Sequence, residues 1–258
     1  MHQALVPRVI KQKIAASHGA VMFICWWILV STGILTARFG KKFNYNILGS
    51  AIWFQIHRSL MILAFVCITV VFLLIYYQHH WLVFSTCSTL CGLDDFNTQV
   101  HALLGTVTYA LLVFQVLTGI FRPGLDSPIR PYFNLVHRFN GMLTWGGASV
   151  NMFFGVDMEK TGLYAIYKGW PYFIMAVVIM IFIFTYALCE WFAFRSKFIP
   201  VNSNSVQKLK LDDEDRDKEK PSIVAALLIF MNSLVGIAGA IAIGIMLTDF
   251  LKMFGFWN

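Results

Sequence analysis

Six apolar stretches, each near the roughly 20 residues a helix needs to cross a hydrocarbon core, are separated along this chain by short polar segments. They run from Ser17 to Phe39, Ser50 to Tyr77, Thr98 to Phe121, Tyr132 to Gly155, Pro171 to Phe194 and Ser222 to Phe250. A membrane barrel would show short segments of alternating polarity instead. The pattern therefore predicts an all-α fold, a polytopic membrane helical bundle of six transmembrane helices. The first stretch follows Arg8, Lys11 and Lys13 as a secretory leader would. It is too long for one and offers no clear small-residue cleavage site, so it reads as a retained helix.

Polar exceptions inside these stretches carry the chemistry. His18, His57, His101 and His137 each lie near the start of one of the first four. Successive membrane helices run in opposite directions, so His18 and His101 fall near one face and His57 and His137 near the other. An ionisable side chain in the membrane is costly and normally faces the protein interior. One such histidine is more often a hydrogen-bonded structural residue than a ligand, but four alternating in level are hard to assign to packing. Two facing imidazoles at each depth are what two stacked haem irons need, and iron held on both faces has no open position for oxygen, which favours electron transfer. Zinc would gather four ligands at one centre, whereas these two levels are about 20 Å apart by helical rise. The first four helices thus read as a four-helix dihaem core.

Composition supports the membrane reading, with 58% hydrophobic residues, 13% charged and a mean hydropathy of +0.68. The net charge of +7 does not mark a nucleic-acid binder, because the basic residues are spread over short loops. With the N-terminus extracytoplasmic, fourteen Lys and Arg residues face the cytoplasm and six face outward, in line with the positive-inside rule. The second loop, Gln78 to Asn97, has no Lys or Arg and is expected outside. It carries Cys87 and Cys91 together with His79, His80, Asp94 and Asp95, a set open to a disulfide or to weak metal capture. Cys25, Cys67 and Cys189 lie within apolar helices and read as small hydrophobes.

Around the histidines, Gly19 follows His18, and H-x-x-x-G occurs as His101 with Gly105 and His137 with Gly141. Glycine leaves room for a ring edge, or for ordinary helix contact. Arg58 and Arg138 directly follow two of the histidines, and Arg122 closes the third stretch; haem propionates or an anionic reductant would suit all three, as would topology alone. Arg38, Lys41 and Lys42 border the same surface and could steer a small anion. Glu190 and the GIAGAIAIG run of the last stretch read as packing features.

The strings SHGAVMFICWWILVSTGILTARFGKK, AIWFQIHRSL, HALLGTVTYALLVFQVLTGIFRP, FNLVHRFNGM and FFGVD resemble the cytochrome b561 family. They are most similar to its branch with ferric-chelate reductase 1 and the DOMON-linked plant proteins. The resemblance covers roughly residues 17 to 194 and implies two haem b groups, His18 paired with His101 outside and His57 with His137 inside. It also implies cytoplasmic ascorbate as donor, ferric iron or monodehydroascorbate as acceptor, and an ascorbate site to which Arg38, Lys41 and Lys42 contribute. Many members of the branch carry an outer DOMON domain before the core; here sixteen residues precede Ser17, so the chain is read either as a core-only member or as one that begins at a shortened start.

The expectation is therefore an ascorbate-dependent ferric reductase in the plasma membrane or an endomembrane vesicle, multi-pass, with a homodimer compatible. Its parts are a short segment 1–16, the core 17–194, a flexible charged linker 195–221 and an additional helix with the C-terminus, 222–258. A quinol-linked cytochrome b subunit and a non-redox scaffold are the alternatives.

Overall fold

The computed structural model describes residues 7–42, 46–47, 49–78, 96–124, 126–158, 161–195, 223–253 and 255. The outer-loop residues 79–95, with both of their cysteines, and most of the charged linker lie outside that set. Helix α1 (Arg8–Phe23) starts behind Pro7, passes through a π-helical segment (Ile24–Val30) and continues as α2 (Ser31–Phe39) to a 3₁₀ turn at Gly40–Lys42. It begins nine residues before the apolar stretch, because Arg8, Lys11 and Lys13 are good helix formers that hydropathy does not see. A two-residue hairpin, β1 (Asn46–Ile47) with β2 (Ser50–Ala51), turns through Gly49 at φ +75° into the next helix.

The remaining helices are α3 (Ile52–Gln78), α4 (Phe96–Ile120), α5 (Arg130–Asp157), the short α6 (Leu163–Tyr167), α7 (Trp170–Arg195) and α8 (Ile223–Met253). The Val9–Phe39 rod, α3, α4, α7 and α8 are long and apolar enough to cross a membrane. Helix α5, at 28 residues and so about 42 Å, is long enough but less apolar. Its polar side chains Asn140, Thr144, Ser149 and Asn151 are buried. Asn140 Nδ2 donates to Leu111 O and Gln115 Oε1, while Thr144 and Ser149 donate to carbonyls one turn back, so most of the polarity is met inside the protein.

Two antiparallel helix pairs build the working part of the bundle. In α4 and α5, Gly105 faces Asn151, Thr108 faces Gly147, Gln115 faces Gly141 and Gly119 faces His137, one index rising as the other falls. The rod of α1 and α2 runs against α3 in the same sense, His18 meeting Val71 and Gly33 meeting His57. Leu, Ile, Val and Phe cover the opposite faces, as with Ile62, Val66, Val70 and Leu73 on α3. In water that would be an aggregating patch; lipid is the solvent it fits.

Helix α8 closes the bundle over the π-helical segment. A Cβ placed on Gly236 would stand 2.6 Å from the Trp27 carbonyl oxygen, and one on Gly239 would stand 2.7 Å from Val178 and 3.3 Å from the Trp27 ring. Trp27 is thereby 1% exposed. Thr32 and Ser233 add a hydroxyl bond of 2.8 Å across the same contact. Gly236→Ala is expected to destabilise the fold by about 1–3 kcal/mol through overpacking against rigid backbone. Gly244→Ala, where nothing lies within 4 Å, should be neutral or stabilising by up to about 1 kcal/mol through helix propensity. Thermal unfolding of the two variants in detergent should move in those directions.

Candidate functional site

Each of the four histidines is tied through the same ring atom. His18 Nδ1 lies 3.3 Å from Val71 O, His57 Nδ1 2.9 Å from Gly33 O and His101 Nδ1 3.0 Å from Asn151 O. A carbonyl only accepts, so these nitrogens carry the proton. His137 Nδ1 lies 3.3 Å from Thr118 Oγ1, whose single hydroxyl proton goes to Gln115 O at 2.9 Å. Thr118 therefore accepts from His137. In all four rings the tautomer leaves the Nε2 lone pair free, which is the arrangement by which metal-ligating imidazoles are usually oriented.

These bonds are reciprocal. The α1–α2 rod and α3 exchange His18 with Val71 at one end and His57 with Gly33 at the other, and α4 and α5 exchange His101 with Asn151 and His137 with Thr118. Each helix pair is pinned by its own two histidines, and the free nitrogens are left for contact between the pairs. At the His18 end, the His18 and His101 rings stand 6.3 Å apart between centroids at 79°. Two imidazoles each about 2 Å from a shared metal have centroids roughly 6 Å apart, so this spacing fits a bis-histidine iron. A cavity of about 170 Å³ opens beside them, lined by Gly19, Trp26, Phe72, Gln78, Gly105 and Asn151 among others. Its lining is apolar apart from a few groups, and Gln78 Oε1 and Asn151 Oδ1 are buried there without a partner. Orphaned amides in an apolar cavity call for a polar group of a ligand, and the carboxylates of a haem would supply one to amides turned the other way round.

Glycines meet the rings where sequence spacing did not point. Gly155 approaches His101 at 3.0 Å and Gly119 approaches His137 at 3.7 Å, measured from where a Cβ would stand, while Gly33 abuts both His57 and Met61. Of the H-x-x-x-G glycines, Gly105 and Gly141 meet Asn151 and Gln115 at 3.0 Å on the facing helix, and Gly105 also lines the cavity. His137 stacks on Phe133 with centroids 5.3 Å apart.

Basic side chains gather at the His57 end. Arg38 donates from Nε at 2.6 Å and from Nη2 at 2.8 Å to the two oxygens of Glu190, and Arg138 donates to Glu190 Oε1 at 2.8 Å and to the Tyr186 hydroxyl at 2.7 Å. Arg58 is exposed, bonded to Gln55 and set over the Phe54 ring, with Arg122 over the same ring at 4.6 Å. Lys41 Nζ lies 5.5 Å from the Trp53 centroid. Lys42 closes the 3₁₀ turn, and its side chain lies outside the described residues. The clasp of Arg38 and Arg138 by Glu190 was not visible in the sequence beyond the presence of an acid near a helix end.

The family model of eukaryotic cytochrome b561 matches residues 17–162. Ferric-chelate reductase 1 of Bos taurus is 30% identical over 81% of this chain and 32% of its own length, and that of Mus musculus is 33% identical over 57% and 23%. A cytochrome b561 and DOMON domain-containing protein of Arabidopsis thaliana is 27% identical over 58% of this chain and 36% of its own length. The chain thus spans about a third of the length of the curated relatives it matches. No solved structure matches it.

Partial desolvation, and then the charges of Arg38, Arg122, Arg130 and Arg138, push the Lys41 ammonium below the ordinary lysine value. A lowered value means more neutral amine at a given pH. Acylation by an amine-selective reagent, followed by peptide mass spectrometry, should therefore reach half its maximal rate at Lys41 below the ordinary value of about 10.4.

Proposed function

The chain belongs to the eukaryotic cytochrome b561 family, and on that premise we propose that it carries single electrons across a membrane through two haem b groups, from cytoplasmic ascorbate to an extracytoplasmic acceptor such as ferric iron or monodehydroascorbate. The reading rests above all on the His18–His101 pair, whose rings stand 6.3 Å apart with both Nδ1 atoms already committed to carbonyls. Haem, when bound, supplies the one-electron redox chemistry. His18 and His101 would hold the outer group and His57 and His137 the inner one, each pair drawn from both pinned helix pairs.

The protein's share is orientation and charge. The Nδ1 bonds fix which nitrogen faces iron and raise its basicity as a ligand. Trp26, Phe72 and the neighbouring apolar side chains give the outer cavity an apolar lining, and Gln78 and Asn151 would offer amides to the carboxylates of the group. At the inner face Lys41 and Arg122 are the cations that would attract the ascorbate anion, and Arg58 and Arg138, the latter shared with Glu190, are the side chains that would serve the inner group's propionates. In the overall exchange ascorbate loses one electron and one proton to become monodehydroascorbate, and a ferric ion gains the electron to become ferrous.

Haem stoichiometry of the purified chain with each histidine replaced in turn tests the assignment. The parent should hold two haems with a bis-histidine b-type reduced-minus-oxidised spectrum. His18→Ala and His101→Ala should each lose about one haem, the same one, and His57→Ala and His137→Ala the other, together with reduction by ascorbate. Full ascorbate-driven reduction in His57→Ala would reject the entry point. Reduction by quinol but not by ascorbate would favour a quinol-linked subunit, and a parent without haem absorbance would favour a scaffold.

A further inference from the structure

We infer that Glu190 is a positioning residue of the inner face: it clasps Arg38 and Arg138 in one charge-compensated cluster and so leaves Lys41 and Arg122, among the cations of this face without a carboxylate, to meet an anionic donor. This deepens the reading above and rests on its anionic donor. One carboxylate takes three charge-assisted bonds, two from Arg38 at 2.6 and 2.8 Å and one from Arg138 at 2.8 Å, and it is only 29% exposed. The bonds join α2, α5 and α7 at one point. The Tyr186 hydroxyl takes a further bond from Arg138, and the Tyr186 ring packs on Phe39 with centroids 5.4 Å apart, so the clasp is held from below.

The neighbouring cations are treated differently. Among the described residues none of Lys41, Arg58, Arg122 and Arg130 has a carboxylate within 4 Å; Arg58 donates to Gln55 and Arg130 to the Pro123 carbonyl, while Lys41 rests on Trp53 and Arg122 on Phe54, two rings that touch edge to face at 5.8 Å. The nearby loop also carries Asp126, which is exposed. Burial and the charge of Arg130 hold the Arg122 guanidinium below its ordinary value, as expected of a cation lacking a counter-ion. A small planar anion would find here two unpaired charges beside an aromatic floor, next to two arginines already spoken for. Arg138 follows His137 directly, so the charge of Glu190 also bears on the inner redox centre.

The test uses the full chain, loaded with haem, as the parent and as Glu190→Gln and Glu190→Asp. Glu190→Gln keeps much of the bonding and removes one negative charge. Its KM for ascorbate should fall roughly threefold at low salt, the scale of an exposed charge interaction, with kcat changed less. The midpoint potential of the inner haem, identified by its loss in His57→Ala, should rise, and that of the outer haem should stay. Glu190→Asp should restore parental values. A merely structural role predicts instead a loss of haem or a rise in KM, with the inner potential unmoved or lowered, and any of these outcomes would overturn the inference. Should Glu190→Gln fail to fold, Arg138→Gln carries the test with opposite sign, a lowered inner potential and a raised KM, and no change in either would be equally fatal. The potentials are read without ascorbate, so a parent that ascorbate does not reduce would reject the donor and still leave the effect of Glu190 on the inner haem measured.

Discussion

A hydrogen-bond donor inside a membrane has no water to fall back on, so the proton on each imidazole Nδ1 must find an acceptor within the protein. Here it finds one on the neighbouring helix, and the rest of the site follows. A helical carbonyl already bonded to its own i+4 amide has a second lone pair to offer. Val71, Gly33 and Asn151 offer theirs, and Thr118 supplies a hydroxyl in place of a fourth. The bond chooses the tautomer, the tautomer frees Nε2, and the exchange in both directions sets the register of each helix pair. Gly33 shows how far the demand reaches, since a side chain there would collide with Met61 and crowd the His57 ring.

The same constraint explains which parts of the molecule could be read in advance. Apolar runs report the lipid that surrounds a helix, and four of the six expected stretches coincide with described helices to within two residues at both ends. The histidine levels follow from counting residues along antiparallel helices. Contacts across helices leave no such trace. That Gly155 and Gly119, rather than the glycines four residues after a histidine, lie against the imidazoles depends on register between chains of side chains, which no single-helix period encodes. Glu190 belongs to the same class: its meaning resides in Arg38 and Arg138, which are 152 and 52 residues away. Helix α5 was legible as a helix and less so as an apolar one, because Asn140 is matched by α4 and Thr144 by its own helix, and not by lipid.

Helices α7 and α8 carry no membrane histidine, yet they are more than filler. Through Glu190, Tyr186 and Phe182, α7 reaches the basic face at the His57 end and the Trp145 ring, which lies 4.1 Å from Phe182 between centroids. Through Gly236 and Gly239, α8 lets Trp27 into the core. At Gly162, φ +62° combines with the Phe250 ring lying where a Cβ would go, so the connection before α6 admits only glycine and seats α8 against it.

Besides the hydroxyl bonds of α3 with α4, Tyr109 to Thr69 and Tyr76 with Thr106, a buried polar relay joins the two pinned helix pairs between the histidine levels. Trp145 Nε1 of α5 donates to Ser31 Oγ at 3.0 Å, and Ser31 Oγ donates to the Trp26 carbonyl at 2.9 Å, five residues back at the end of the π-helical segment. In an α-helix a serine hydroxyl bonds three or four residues back; the wider π turn brings the carbonyl of the fifth within reach. Ser31 can thus satisfy the loosened helix and receive the tryptophan at once, with all three residues buried. The two histidine levels are set by each pair's own register, and this relay, with the hydroxyl bonds of α3 to α4, fixes how the pairs face each other. The separation of the levels is left to helical rise, which no side-chain change can alter by much.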